Sequence, residues 1–292
     1  MQIITHPGIG DVSWIYSKLV NCGEDLDLII AEDKKTSRAL PFVDLLPKVS
    51  SAEYGTMGDY IPLSECGNAY FQEYKIAEDL GMDLFVSANN YLEEGNRLEG
   101  YLPDLETDFH YPINTSDQDR ERARILLPGG VYLGIYTSSQ GGADSWSGWG
   151  VHEWSDYVSR VRREFPHVMF VIMGAKWDTD LSDALSRSMN SMGVEHINLC
   201  GKTPMGVAVE CLKRLNYFIG FASGMGILSN VLSKPQVMLY PHHLRDLMHS
   251  WPCPVSLANG SHQGVIWDRP ITIYRKTHNY MKHYLNDRGS DG

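Results

Sequence analysis

Apolar strands alternating with helices of about ten to fifteen residues predict an α/β protein with a doubly wound parallel sheet. The clearest unit is FIGFASGMGILSNVLSKPQVMLY at 218–240. There an apolar run meets the turn Ser223-Gly224-Met225-Gly226, an amphipathic segment follows, and a second apolar run closes a βαβ unit. A length of 292 residues, with Pro128-Gly129-Gly130 as a flexible joint, predicts two domains. These are residues 1–125 and 126–275, with a terminal helix and tail at 276–292.

The first half opens with a strand at 2–5, the loop His6-Pro7-Gly8-Ile9-Gly10, and a helix at 11–20 that Asp11 is placed to cap. Leu28-Ile29-Ile30-Ala31 reads as a strand and 36–46 as a helix despite Pro41. Helices at 69–80 and 90–98 stand among turn-rich connections, and Ser116-Asp117-Gln118-Asp119 reads as a cap for a helix ending near Leu126. The second half is regular. Strands are expected at 131–136, 168–173, 196–199 and from Tyr217, with helices at 151–165, 180–192 and 204–215 between them. A last strand at 271–274 and a helix at 277–285 end the pattern.

The composition, 43% hydrophobic and 21% charged with no low-complexity tract, is that of a soluble globular protein. No apolar stretch approaches the roughly 20 residues that span a bilayer, and MQIITHPGIGD lacks the marks of a signal peptide. Five scattered cysteines without a CxxC pair argue for reduced thiols in a cytoplasmic compartment and against a zinc site. A net charge of −11 argues against non-specific coating of nucleic acid. The arginines at 120, 122 and 124, those at 160, 162 and 163, and Lys276, Lys282 and Arg288 read first as solvated helix faces; a local basic groove is the alternative.

Gly8-Ile9-Gly10-Asp11-Val12-Ser13 nearly matches the dinucleotide fingerprint GxGxxG, with Glu32 and Asp33 about twenty residues on where a ribose-binding acid belongs. A nicotinamide or flavin site and a plain tight β–α turn both fit it. Gly201-Lys202-Thr203 imitates the end of a P-loop, but His196 stands where the leading glycine is required. Adjacent His242 and His243, with His249, chelate a metal poorly from a strand, and no GxSxG elbow supports a serine hydrolase. Trp149 and Trp154 read as core or hinge. Trp146 and Trp177, in loops at strand ends, fit either packing or stacking on a base or sugar. At the turn 223–226 the following helix offers unpaired N–H groups to an anion.

Three blocks together resemble glycosyltransferase family 9, the ADP-heptose:lipopolysaccharide heptosyltransferases. GIGDVSWIYSKL is similar to the family's "GDVL" signature, and WSGWGVHEWSDYVSRV to its "K-W-P-x-E-x-W" stretch. INLCGKTPMGVAVECLKRLNYFIGFASGMGILSNVL is similar to its "GktsL…a…iG.DSG..H" block, while residues 35–125 match poorly. The resemblance implies a GT-B fold, with two Rossmann-like domains facing a cleft and the C-terminal helix returning to the N-terminal domain. It implies metal-independent, inverting transfer of a sugar from a nucleotide-diphosphate donor to an acceptor hydroxyl, with no cofactor beyond that co-substrate.

By that resemblance Asp11 is the general base, with Gly8, Ile9 and Gly10 on the acceptor side; a helix cap is the plain alternative for Asp11. Thr137, Ser138 and Ser139 match the hydroxyl-bearing loop near the phosphates, and Ser223, Gly224, Met225 and Gly226 the diphosphate turn. Gly174, Lys176, Trp177, Lys202 and Thr203, at neighbouring strand ends, complete the expected donor site. Ala222 replaces the acid of "DSG", Ile227 or Leu228 the later histidine, and Ser147 or Gly148 the lysine before "WP". Lys176 stands where an acid would bind ribose, with Asp178 close by. These departures point to a nucleotide sugar other than ADP-heptose. The expected acceptor is a glycan or another hydroxyl compound, a hydroxylated nucleic-acid base included, with no stable insertion in a membrane. An NAD(P)- or flavin-dependent oxidoreductase on the Gly8–Ser13 turn and a non-catalytic nucleotide- or carbohydrate-binding protein are the other readings.

Overall fold

Apolar runs in a parallel sheet must be covered on both faces, because the connections between parallel strands cross over the sheet. A computed structural model of the protein describes residues 1–5, 8–31, 39–55, 84–86, 104–137, 148–221, 223–240 and 262–286. Two units, Met1–Asn114 and Thr115–Gly292, each hold one such sheet. The helices read at 69–80 and 90–98 lie outside the described residues.

In the first unit β1 (Gln2–Thr5), β2 (Leu26–Ala31), β3 (Val49–Gly55) and β4 (Leu84–Val86) form a four-stranded sheet ordered β3-β2-β1-β4, every pair parallel. The helix α1 (Ile9–Leu19) joins β1 to β2 and buries Val12, Ile15, Tyr16 and Leu19 at helical spacing. It starts two residues earlier than the sequence predicts. Gly8 is the N-cap, with extended backbone (φ −80°, ψ 135°) and no side-chain cap bond, and Asp11 is the third helical residue. The predicted helix at 36–46 is described only as α2 (Leu40–Val43), with Pro41 in its first turn, where a missing N–H costs nothing. Tyr111 draws residues 104–114 onto α1: its hydroxyl lies 2.5 Å from Ser13 Oγ, and its ring meets Tyr16 edge-on at 4.9 Å.

The second unit opens with α3 (Asp117–Leu126), whose capping box is the one predicted: Ser116 Oγ accepts from Asp119 N at 3.0 Å, and Asp119 accepts from Ser116 N at 3.0 Å. Thr115 Oγ1, just ahead of the cap, donates to the buried Glu210 of α6 (Met205–Lys213) and ties the start of α3 to it, while Lys213 Nζ donates to the same carboxylate from within α6. The stretch read as a flexible joint is fastened. Arg214 Nε donates to Leu127 O at 2.7 Å, and the Tyr132 hydroxyl donates to Gly129 O at 2.9 Å. The chain therefore passes from one unit to the other ahead of α3.

Six parallel strands follow: β5 (Val131–Tyr136), β6 (Val168–Met173), β7 (His196–Asn198), β8 (Tyr217–Phe221), β9 (Gln236–Tyr240) and β10 (His262–Ile266), in the order β10-β9-β8-β5-β6-β7. One face is a continuous core. Leu133, Ile135, Phe170, Ile172, Ile219, Val237 and Leu239 pack there with residues of α4 (Val151–Glu164), α5 (Thr179–Ser191) and α8 (Pro270–Asn286). Met238, of opposite parity, meets α7 (Gly224–Val231) at Gly226 on the other face.

The strand expected at 271–274 is instead the first part of α8. Ile271-Thr272-Ile273 has strand-like composition, but Ile273, Thr277, Met281 and Leu285 are buried at helical intervals, and Pro270 suits a helix start. This helix seats its buried stripe in the second unit's own core, against α4, β5 and β8. No described helix is long and apolar enough to cross a membrane.

Candidate functional site

In open parallel sheets, ligands bind outside the carboxyl ends of the strands, where the winding reverses. In the second unit β5, β6 and β7 wind one way and β8, β9 and β10 the other, so the reversal falls between β5 and β8. Gly220 of β8 pairs with Tyr136 of β5 just before the strands end. A Cβ at Gly220 would lie 2.9 Å from Tyr136 Cβ and 3.1 Å from its carbonyl oxygen, so glycine permits this approach.

Immediately beyond, Ser223 caps α7 with an extended backbone, its Oγ accepting from Gly226 N at 3.4 Å. The N–H groups of Gly224 and Met225 lie in the first turn, where the helix supplies no acceptor, and that turn carries no acid. Gly226 lets α7 sit close to β9, since a Cβ there would fall 2.5 Å from Met238 Cε. Ser223, Gly224, Met225 and Gly226 thus form a capped turn at the reversal point.

A second construction joins the ends of β6 and β7. Gly174 (φ +156°) and Gly201 (φ +68°) both have positive φ, and Gly201 N donates to Gly174 O at 3.0 Å. The Cys200 thiol donates to Ala175 O at 3.3 Å, and burial pushes that thiol up to about 11. A Cβ at Gly201 would lie 2.9 Å from Thr179 Cγ2 and 3.2 Å from Lys176 Cα, so the two loops are in direct contact. They present Lys176 and Lys202 to solvent and Trp177 at 36% exposure. Lys202 Nζ turns back to Asn198 O at 3.0 Å, while Thr203 is half-buried before α6. Asp178, 2% exposed, accepts from Ala175 N at 2.9 Å, so its carboxylate holds its own turn.

Thr137 lies at the same edge but points inward. It is fully buried, with Oγ1 3.1 Å from Ser182 Oγ of α5 and its carbonyl accepting from Trp154 Nε1 at 3.3 Å. Trp149 and Trp154 are core residues, their rings meeting edge-on at 4.8 Å, and Trp149 Nε1 donates to Asp268 O at 2.7 Å. Sequence reasoning missed Trp267, which is 39% exposed beyond β10 and lies against Gly148. Its only local signal was the short apolar run Val265-Ile266 before it. Ser138, Ser139, Trp146, Ala222, Glu32, Asp33 and the histidines at 242, 243 and 249 lie outside the described residues.

In the first unit the winding reverses between β1 and β4. Gly8, Ile9 and Gly10, all half-buried, carry the chain from that edge into α1, and Asp11 follows in its first turn. Among the described residues no group of three or more His, Cys, Asp or Glu is placed to hold a metal ion.

No protein-family model matches the chain, and no curated protein matches it in sequence. Solved structures do match in fold. ADP-heptose lipopolysaccharide heptosyltransferase II of E. coli superposes with a TM-score of 0.67 at 13% identity, covering 98% of each chain. The family 9 glycosyltransferase of Veillonella parvula gives 0.59 at 12%, over 96% of this chain and 89% of that one. The UDP-GlcNAc 2-epimerase of Methanocaldococcus jannaschii gives 0.52 at 14%, over 99% and 93%. Over nearly its whole length the chain carries the two-sheet α/β fold of these structures, the fold that the resemblance to family 9 implied.

Proposed function

We propose that the protein is a metal-independent glycosyltransferase that moves a sugar, with inversion, from a nucleotide-diphosphate donor to an acceptor hydroxyl. The observation that carries this reading is the Ser223-capped turn at the winding reversal of the second sheet, in a chain that matches a heptosyltransferase fold over 98% of its length. The donor diphosphate sits against the N–H groups of Gly224 and Met225 and the hydroxyl of Ser223. Those groups stabilise the charge that grows on the leaving phosphate, as preorganised donors do. Two strand steps of about 4.8 Å separate β8 from β6, roughly the span from diphosphate to base, which supports base stacking on Trp177 beside Gly174, Lys176, Lys202 and Thr203. Thr137 acts from behind, fastening the end of β5 through Ser182.

Asp11 takes the proton of the acceptor hydroxyl as its oxygen attacks the anomeric carbon and the C–O bond to the diphosphate breaks. Gly8, Ile9 and Gly10 line the acceptor side. Asp11→Ala should lower transfer at least 10²-fold, the lower end of general-base contributions, with donor affinity, measured calorimetrically, within a factor of two. Unchanged turnover removes Asp11 from the mechanism. EDTA should leave the rate unaltered.

The likeness to the epimerase structure supports a second reading, in which the same edge holds a nucleotide sugar that is isomerised without an acceptor. Product formed from donor alone, identified by mass spectrometry, would select it. Binding of NAD(H) or a flavin to the exclusion of nucleoside diphosphates would select an oxidoreductase instead.

A further inference from the structure

The helices α4 and α8 pack against each other on one face of the second sheet, and their charges are unbalanced. In a chain of net charge −11, α8 contains no acidic residue. Its exposed positions are Arg275, Lys276, Asn279, Lys282, His283 and Asn286, which recur at helical spacing and form a single stripe opposite the buried one. The acids of α4 are all engaged: Glu153 by Gly150 N, Asp156 by Arg160, and Glu164 by the Tyr274 hydroxyl and His278. Arg162, Arg163, Arg275, Lys276 and Lys282 form no ion pair among the described residues. The helix dipole rewards cations only in the last turn, so it does not account for Arg275 or Lys276.

The geometry points to a docking surface for the phosphate backbone of duplex nucleic acid. Arg275 and Lys282 stand about two turns apart on one face, roughly 10 Å along the helix, so the stripe presents a row of cations to the closely spaced charges of a duplex backbone. An anionic bilayer fits less well. A helix that binds in the interface needs apolar side chains to insert, and those of α8, Ile273, Met281 and Leu285, are buried in the core. The stripe runs from the helix start, just after β10, toward the opposite edge of the sheet. Tyr280 OH accepts from Gln236 N at the start of β9, and His167, just before β6, bonds Leu285 O, so the later turns of α8 lie at the amino edge of the sheet. None of Arg275, Lys276 and Lys282 belongs to the proposed donor site, so the surface does not depend on that reading.

The test is fluorescence anisotropy with a labelled DNA duplex of unrelated sequence across a salt series. With four to five phosphate contacts, affinity should fall on the order of 10²-fold between about 50 and 200 mM salt. Arg275→Glu, Lys276→Glu and Lys282→Glu together should weaken binding more than tenfold and reduce the logarithmic salt slope by about 3. Arg120→Glu with Arg124→Glu, on the ion-paired face of α3, should leave affinity unchanged. Circular dichroism melting establishes that each variant is folded. No salt-dependent binding, equal binding by the triple variant, or sedimentation with anionic vesicles in the absence of DNA binding would each overturn the proposal.

Discussion

Gly193, between α5 and β7, and Gly201, just after β7, offer a matched pair for the contact between the loops that follow β6 and β7. Their φ angles are +65° and +68°, so alanine meets the same backbone cost at both. Left-handed backbone costs an L-residue roughly 1–2 kcal/mol, offset by about 0.4–1 kcal/mol because alanine stiffens the unfolded chain. A Cβ at Gly193 meets nothing within 4 Å, and Gly193→Ala should therefore cost about 1 kcal/mol. At Gly201 the same atom would stand 2.9 Å from Thr179 Cγ2 and 3.2 Å from Lys176 Cα, the latter a backbone atom that cannot swing aside. Overpacking adds about 1–3 kcal/mol, so Gly201→Ala should cost roughly 2–4 kcal/mol. Urea unfolding followed by tryptophan fluorescence measures both, and melting should separate the variants by several degrees, at about 2–4 °C per kcal/mol. Displacing Lys176 should also weaken nucleotide binding in Gly201→Ala and not in Gly193→Ala. Equal stability of the two variants, within about 0.5 kcal/mol, the ordinary scatter for a neutral surface change, would refute the close contact between the loops.

Ser223→Ala should cost about 1 kcal/mol through the lost cap and, on the proposed donor site, weaken nucleoside diphosphate binding in titration calorimetry by more than that loss of stability alone would. Glu164 supplies a pH dependence. Hydrogen bonds first from Tyr274 and then from His278 hold its carboxyl below the usual 4.5. A depressed carboxylate contributes stability that is present above its unfolded pKa and is lost as pH falls through the folded one. Wild type should therefore exceed Glu164→Gln in melting temperature at neutral pH, with the gap closing as the solution is acidified below about pH 4.5. A gap that persisted at low pH would contradict this.

The second sheet was legible because strands buried on both faces read as continuous apolar runs, and β5 and β6 begin and end where the sequence places them. The strand β3 was not, since its Ser50, Ser51 and Glu53 are exposed and the two serine hydroxyls bond Asp27 rather than pack. β4 has only Leu84, Phe85 and Val86, and β10 opens with His262-Gln263-Gly264, too short or too polar to stand out. The start of α1 was misread because Asp11 suits a cap by composition, whereas the extended backbone of Gly8 fixes the boundary. At the candidate site the Ser223 turn is local and could be read. The contact between Gly174 and Gly201 is a meeting of two loops, and nothing within either loop announces it. Thr137 reads as a loop hydroxyl because it follows a strand, yet Ser182, forty-five residues on, draws it inside.

The fold shared by a heptosyltransferase and an epimerase sets how the reaction can be assigned. Both of those activities concern a nucleotide-linked sugar, so variants at the proposed donor residues Ser223, Trp177 and Lys176 test donor binding and leave the reaction open. The choice between transfer and isomerisation rests with groups that meet the acceptor or the sugar ring. In the first unit the group proposed for that role is Asp11, in the first turn of α1. Loss of transfer in Asp11→Ala with donor affinity intact, and dependence of turnover on an added hydroxyl acceptor, together separate the two reactions. A donor-site variant alone cannot.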